Sequence, residues 1–132
     1  MAGESILVVD DNAANLKLAR VTLMAEGFQV KTATSAEDAL KMLIDYRPVL
    51  ILMDLQMPGM DGLELTRRLK EDPEKRDIII VALTAYAMRG DEQRARDAGC
   101  SGYIAKPIDT RTLGHVVARH IEEARGNGER TS

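Results

Sequence analysis

The residues of this sequence best suited to chemistry are three aspartates, a threonine and a lysine that end its apolar runs. Four such runs are followed by Asp10 with Asp11, by Asp54, by Thr84 and by Lys106. A carboxylate can attack a phosphoryl group and form an acyl phosphate once charge is neutralised. Three carboxylates in one pocket carry a charge of about −3, which one Mg²⁺ and one ammonium balance, and Mg²⁺ prefers oxygen ligands. If the fold brings these residues together, they predict phosphoryl chemistry.

The apolar runs themselves predict five β-strands, at residues 5–9, 28–33, 49–53, 78–83 and 102–105. Three are rich in valine, isoleucine and leucine without alternation, which is typical of strands buried on both faces of a parallel sheet. The second and fifth are weaker and are expected at the sheet edges. Because amphipathic stretches separate the strands, the pattern predicts right-handed crossovers with helices on both faces. Ligands of such a sheet bind beyond the carboxyl ends of its strands.

Capping residues and apolar spacing predict the helices. Asn12 is placed to cap a first helix, in which Ala14, Leu18, Val21 and Ala25 recur at helical spacing. The second, third and last helices are expected to be capped by Ser35, Asp61 and Asp109, with apolar faces at Ala36, Leu40 and Leu43, at Leu65 and Leu69, and at Leu113, Val117 and Ile121.

A fourth helix, predicted at residues 87–98, differs from the others. Its inward candidates are mainly Met88, Ala95 and Ala98, and it contains Gly90. It buries little apolar area and carries the propensity penalty of a glycine, so it is expected to be the most weakly held helix. The domain is expected to span residues 1–124, followed by a frayed tail at 125–132 and no output domain.

The motifs at the strand ends resemble those of a known family. They are Asp10 with Asp11, Asp54 with Met-Pro-Gly-Met-Asp-Gly at 57–62, Thr84 with Ala85, and Lys106 with Pro107. In this order they resemble the receiver domain of bacterial two-component response regulators, over residues 6–122. The resemblance implies a CheY-like, flavodoxin-like (βα)5 fold, a three-layer α/β sandwich whose five parallel strands take the order 2-1-3-4-5.

The resemblance also implies the metal and the phosphoacceptor. Asp54 would accept the phosphoryl group. Asp11, Asp54 and the main-chain carbonyl of Gln56 would hold Mg²⁺, with Asp10 acting through a water, and Mn²⁺ could substitute.

The remaining roles implied by the resemblance concern recognition and switching. Lys106 would pair with a phosphoryl oxygen, aimed by a cis peptide before Pro107. Thr84 would donate a hydrogen bond to the new phosphoryl group, beside Ala85. Tyr103 would then fill the space behind Thr84, and the fourth helix, fifth strand and fifth helix would repack to signal.

The partners implied are a sensor histidine kinase or histidine phosphotransfer protein as donor and a downstream protein as target. The target would bind the face formed by the fourth helix, fifth strand and fifth helix. The stretch at 84–91 resembles regulators of the DivK type and receivers of hybrid kinases, which favours relay or kinase control. The protein is expected to be cytoplasmic, and a monomer or a phosphorylation-dependent dimer.

Three other functions are weighed against the pattern. A haloacid-type phosphohydrolase also uses an aspartate nucleophile, but it carries an Asp-x-Asp pattern after the first strand, where this chain has Asp10, Asp11 and Asn12. A receiver that only binds partners usually lacks one of the key groups, and here none is missing. A flavin-binding fold is weaker still, because the loop after the first strand lacks residues that would cradle a phosphate.

Composition excludes several other classes. The chain has 132 residues, 45% of them apolar, which suits one domain with its own core. A single cysteine, Cys100, excludes an internal disulfide and favours a reducing compartment. A net charge of −3, with no tryptophan and one phenylalanine, argues against direct nucleic-acid binding. The longest apolar runs fall far short of the ~20 residues that cross a bilayer, so no membrane association is expected.

Overall fold

The computed structural model describes residues 3–57, 59–84 and 91–131. Strands and helices alternate along the chain, as β1 (Ser5–Val9), α1 (Ala13–Ala25), β2 (Gln29–Ala33), α2 (Ala36–Met42), β3 (Leu50–Asp54), α3 (Gly62–Glu71), β4 (Ile79–Thr84), α4 (Asp91–Ala98), β5 (Gly102–Ala105) and α5 (Leu113–Thr131). The alternation confirms the predicted α/β class.

The strands form one parallel sheet in the order β2-β1-β3-β4-β5, which confirms the predicted topology and its two edge strands. The register aligns the carboxyl ends of the central strands. Asp54 pairs with Leu83, and Thr84 pairs with Ala105, the residue before Lys106. The polar residues at these ends therefore meet at one edge of the sheet.

Apolar side chains cover both faces of the sheet. On one face, Ile6 and Val8 of β1 pack in a cluster with residues of α1 and α5. On the other face, Leu7 and Val9 pack with residues of α2 and α3 and with Ala95 of α4. This two-sided burial is why the central strands lack alternation, and it holds the strand ends in fixed relative positions.

The predicted caps of three helices are confirmed, and the fourth differs. The side chains of Asn12, Ser35 and Asp61 each accept a hydrogen bond from a backbone N–H in the first turn of α1, α2 and α3. Asp109 instead accepts from the backbone N–H of Arg111, at 2.9 Å, and α5 begins only at residue 113. Asp109 thus stabilises the turn before the helix, because its side chain is satisfied within that turn.

The apolar spacing seen in α1 does not mark its buried face. The buried residues are Leu16, Ala19 and Leu23, whereas Leu18 is 40% exposed and Val21 is 55% exposed. The helix carries two apolar stripes, and spacing alone cannot choose between them. Packing against β1 and α5 buries the stripe that contains two leucines.

The inward faces of α3 and α4 agree with prediction. Leu65 and Leu69 of α3 are buried, as are Ala95 and Ala98 of α4. Met88 and Gly90, the other residues singled out for the fourth helix, lie outside the described residues, and the described helix begins at residue 91 rather than 87. That α4 is the most weakly held helix stays a prediction.

The end of α5 lies further along the chain than the predicted domain boundary. The helix continues to residue 131, through the segment expected to be a tail. An ion pair joins Arg125 to Glu4, at 3.3 Å, and holds the start of this extension against the amino end of β1. Fraying of residues 125–132 in solution stays a prediction. Among the described helices, none combines the length and the apolar character that a membrane span requires.

Candidate functional site

A lysine and two buried aspartates meet at the carboxyl edge of the sheet. Lys106, directly after β5, places its Nζ 3.2 Å from Asp10 Oδ2 and 3.2 Å from Asp54 Oδ2. Asp10 follows β1, and Asp54 ends β3, the strand beside it. The parallel register therefore brings together three residues that are far apart in the sequence.

Asp54 is a buried carboxylate in a partly compensated environment. It is 1% exposed, and its Oδ1 accepts a hydrogen bond from the backbone N–H of Gln56 at 3.1 Å. Burial raises the pKa of Asp54 from 3.8 to about 6, with the charge of Asp10 adding to the rise, whereas the Gln56 hydrogen bond and Lys106 lower it. Near neutral pH the carboxyl group of Asp54 is ionised, and its buried charge lowers the stability of the fold.

Lys106 is the cation that partly neutralises the buried carboxylates. Burial alone would lower its pKa, but the carboxylates of Asp54 and Asp10 outweigh burial and raise the pKa above its ordinary value. Lys106 is therefore charged under all physiological conditions. Its side chain remains 16% exposed, so the ammonium lies at the border of solvent, where a phosphoryl oxygen could reach it.

Asp10, Asp11 and Asp54 form a cluster suited to a hard cation. One carboxylate oxygen of each lies within 4.8 Å of the others, with Asp10 and Asp54 buried and Asp11 exposed. Asp10 Oδ1 accepts from the backbone N–H of Asn12 at 2.9 Å. Asp10 Oδ2 is buried and forms an ion pair with the Lys106 ammonium, and among the described residues it accepts no well-formed hydrogen bond. A buried carboxylate oxygen left in this state, beside two further carboxylates, fits an oxygen-liganded divalent cation.

Of the other predicted site residues, all but Ala85 lie within the described part of the chain. Thr84 is buried at the end of β4, and its carbonyl accepts from the backbone N–H of Lys106 at 2.7 Å. Gln56 is exposed in the loop after β3, and its backbone N–H donates to Asp54 Oδ1. The peptide before Pro107 is cis, the form that the resemblance implied. Tyr103, on β5, is half-buried against the cluster that contains Ala95. Ala85 lies outside the described residues.

The sequence showed Gly62 only as part of the motif at 57–62 and gave it no role of its own. A Cβ on this residue would lie 2.3 Å from the backbone oxygen of Asp54 and 2.9 Å from Met53 Cγ. The first turn of α3 therefore packs directly on the backbone of the phosphoacceptor candidate, and only glycine permits that approach. The available sequence signal was the adjacent Asp61 and Gly62, but an Asp-Gly pair indicates a loop in any protein.

Comparison with known proteins shows the family of the chain. A sequence profile of the response regulator receiver domain matches residues 6–118. The polar-differentiation response regulator DivK of Brucella anthropi is 40% identical over 121 residues, covering 92% of this chain and 98% of that protein. DivK of Brucella ovis matches with the same identity and coverage.

Two solved structures share the fold along nearly their whole length. A CheY-like receiver domain protein from Methanospirillum hungatei has a TM-score of 0.87 at 27% identity, covering 96% of this chain and 99% of that one. The chemotaxis response regulator CheY4 of Vibrio cholerae has a TM-score of 0.85 at 26% identity, covering 90% and 99%. By profile, relatives and fold, the chain belongs to the receiver family of two-component response regulators.

Proposed function

We propose that Asp54 accepts a phosphoryl group from the phosphohistidine of a sensor kinase or a phosphotransfer protein. A carboxylate oxygen of Asp54 attacks the phosphorus, the bond from phosphorus to the donor nitrogen breaks, and the imidazole leaves with that electron pair. The observation that carries the proposal is the position of Asp54, buried at the end of β3 with the Lys106 ammonium at 3.2 Å. The protein positions the reactants and neutralises charge, which is its main part in phosphoryl transfer.

Asp10, Asp11, Asp54 and the carbonyl of Gln56 are the groups that would hold Mg²⁺. Bound there, Mg²⁺ would balance the carboxylate charge and stabilise negative charge on the phosphoryl oxygens, and Mn²⁺ could substitute. The Lys106 ammonium gives up part of its contact with the carboxylates of Asp10 and Asp54 and pairs with an oxygen of the phosphoryl group. Receivers of this kind act as signalling switches. The catalysis proposed here is confined to the chain's own phosphorylation and slow autodephosphorylation.

The switch proposed is a rearrangement at the ends of β4 and β5. Thr84 donates its hydroxyl hydrogen to the new phosphoryl group, and Tyr103 turns into the space that Thr84 leaves. The backbone bond from Lys106 to Thr84 supports this coupling, because it ties the two strand ends together at 2.7 Å. The α4-β5-α5 face would then present a changed surface to a downstream protein.

Intact mass after incubation with acetyl phosphate and Mg²⁺ tests the proposed function. Wild type is expected to gain one phosphoryl group, and chelation of the metal is expected to abolish the gain. Asp54→Asn should gain none, whereas Asp45→Asn, which removes an exposed carboxylate elsewhere, should behave as wild type. If wild type gained none, and a kinase panel and beryllofluoride also failed, the chain would be a receiver that only binds partners. Steady hydrolysis of phosphate esters would instead favour a phosphohydrolase.

A further inference from the structure

The loop that joins β3 to α3 is contacted from the side by α2. This loop carries Gln56, whose carbonyl is a proposed metal ligand. Its amino end is held by the sheet, because the backbone N–H of Leu55 donates to the carbonyl of Leu83 at 3.0 Å. Its carboxyl end is held by Asp61, which caps α3. Between these ends, described residues of the loop contact α2 through both polar and apolar groups.

Glu37, in the first turn of α2, makes the polar contact with the middle of the loop. Its Oε2 accepts a hydrogen bond from the backbone N–H of Met60, 23 residues away, at 3.4 Å. The same oxygen would lie 3.1 Å from a Cβ built on Gly59, whose φ is +77°. Gly59 thus presents bare backbone to the Glu37 carboxylate, in a conformation that other residues rarely adopt.

Apolar packing and helix capping hold Glu37 in place for this contact. Met57 of the loop is buried in the same cluster as Ala36 and Ala39 of α2, and Met60 packs against that cluster. The Ser35 side chain accepts from the backbone N–H of Asp38, which fixes the first turn of α2. Glu37 therefore projects from an ordered turn onto a loop that already packs against the helix.

From these contacts we infer that Glu37 is a positioning residue for the metal site. Its carboxylate holds the loop at Met60 and so keeps the Gln56 carbonyl aligned with Asp54 and the neighbouring aspartates. Nothing in the sequence marks this role, because an acidic residue in the first turn of a helix is already favourable for the helix dipole. The inference rests on the proposed function, since it concerns the cation that the function requires.

Calorimetric titration of the full chain with Mg²⁺ tests the inference, using wild type, Glu37→Ala, Glu37→Gln and Asp45→Ala. Loss of one such hydrogen bond should weaken Mg²⁺ binding by about 3- to 10-fold in Glu37→Ala. Glu37→Gln keeps a side-chain oxygen that can accept from Met60, so it should stay within about twofold of wild type. Asp45→Ala removes an exposed carboxylate just past the other end of α2, and it should bind as wild type does.

Hydrogen exchange at the Met60 amide gives a readout that does not depend on the metal. Exchange should be faster in Glu37→Ala than in wild type and unchanged in Glu37→Gln. Equal weakening of Mg²⁺ binding in Glu37→Gln and Glu37→Ala would assign the effect to charge and overturn the inference, as would wild-type affinity in Glu37→Ala. Absence of saturable Mg²⁺ binding by wild type would overturn the metal site itself, and this role of Glu37 with it.

Discussion

Replacement of Asp54 with asparagine should stabilise the metal-free protein while it abolishes phosphorylation. Burial and the charge of Asp10 raise the pKa of Asp54 to about 6, against 3.8 in an exposed carboxyl. Because the folded chain holds this proton more tightly than the unfolded chain, the free energy of unfolding falls as pH rises from about 3.8 to about 6. Above that window the ionised carboxylate opposes folding in full, and asparagine removes the charge.

The magnitude follows from the two pKa values. At about 1.4 kcal/mol for each tenfold change in an equilibrium constant, ionising Asp54 within the fold lowers the free energy of unfolding by about 3 kcal/mol. Asparagine has nearly the shape of the protonated carboxyl, so Asp54→Asn should raise stability at neutral pH by up to ~3 kcal/mol, or about 10 °C in Tm. Mg²⁺ should reduce this difference in stability between Asp54→Asn and wild type, because it binds the ionised carboxylates of wild type.

Urea unfolding of wild type and Asp54→Asn, with and without Mg²⁺, measures this difference. It should be largest near neutral pH in the presence of a chelator and should approach zero at about pH 4, where the folded wild type is protonated at this group. Asp45→Asn serves as the control, because Asp45 is exposed. An Asp54→Asn variant no more stable than wild type at neutral pH would refute the reasoning. A stability gain that persisted undiminished at about pH 4 would show that it has another cause.

Four further substitutions test the charges at the site and the packing of α3 and α1. Lys106→Met should destabilise the metal-free protein by about 2 kcal/mol at neutral pH, because it leaves buried carboxylates without their cation, and the loss measured by urea unfolding should shrink in acid. Gly62→Ala should cost about 1–3 kcal/mol and slow phosphorylation, since its Cβ would meet the Asp54 backbone at 2.3 Å; unchanged rate and stability would contradict that packing. Leu23→Ala should cost about 2–5 kcal/mol in thermal or urea unfolding, whereas Val21→Ala should stay within about 0.5 kcal/mol, and the reverse order would contradict the buried face of α1.

The strands and their two-sided burial were readable from sequence because their signals are local, whereas the strand order was implied only by the family resemblance. Continuous apolar runs require burial on both faces, and that requirement already indicates a parallel sheet with helices on either side. Asn12, Ser35 and Asp61 act as caps through hydrogen bonds that span three residues, so their roles depend on nearby chain alone. Asp109 shows the limit of such reasoning, because the same chemistry stabilises a turn as readily as a helix.

The faces of helices were less readable, and α1 shows why. Leu18 and Val21 have the right spacing for a buried stripe, yet they are exposed while Leu16 and Leu23 are buried. Both stripes satisfy helical periodicity, and the choice between them depends on the rotation of the helix against the sheet. That rotation is set by packing against β1 and against α5, and α5 is distant from α1 in sequence.

The amino-acid sequence by itself determined which residues could do the chemistry, because residue type and position after a strand define a carboxylate cluster with a lysine. Only the tertiary structure decided how these groups affect one another. The raised pKa of Asp54 needs its burial, the 3.2 Å contact with Lys106 needs the strand order, and the approach of Gly62 to the Asp54 carbonyl needs the packing of α3. The contact of Glu37 with the loop after β3 likewise joins residues 23 positions apart. Distances and solvation are properties of neighbours in space, so they depend on how the whole chain packs.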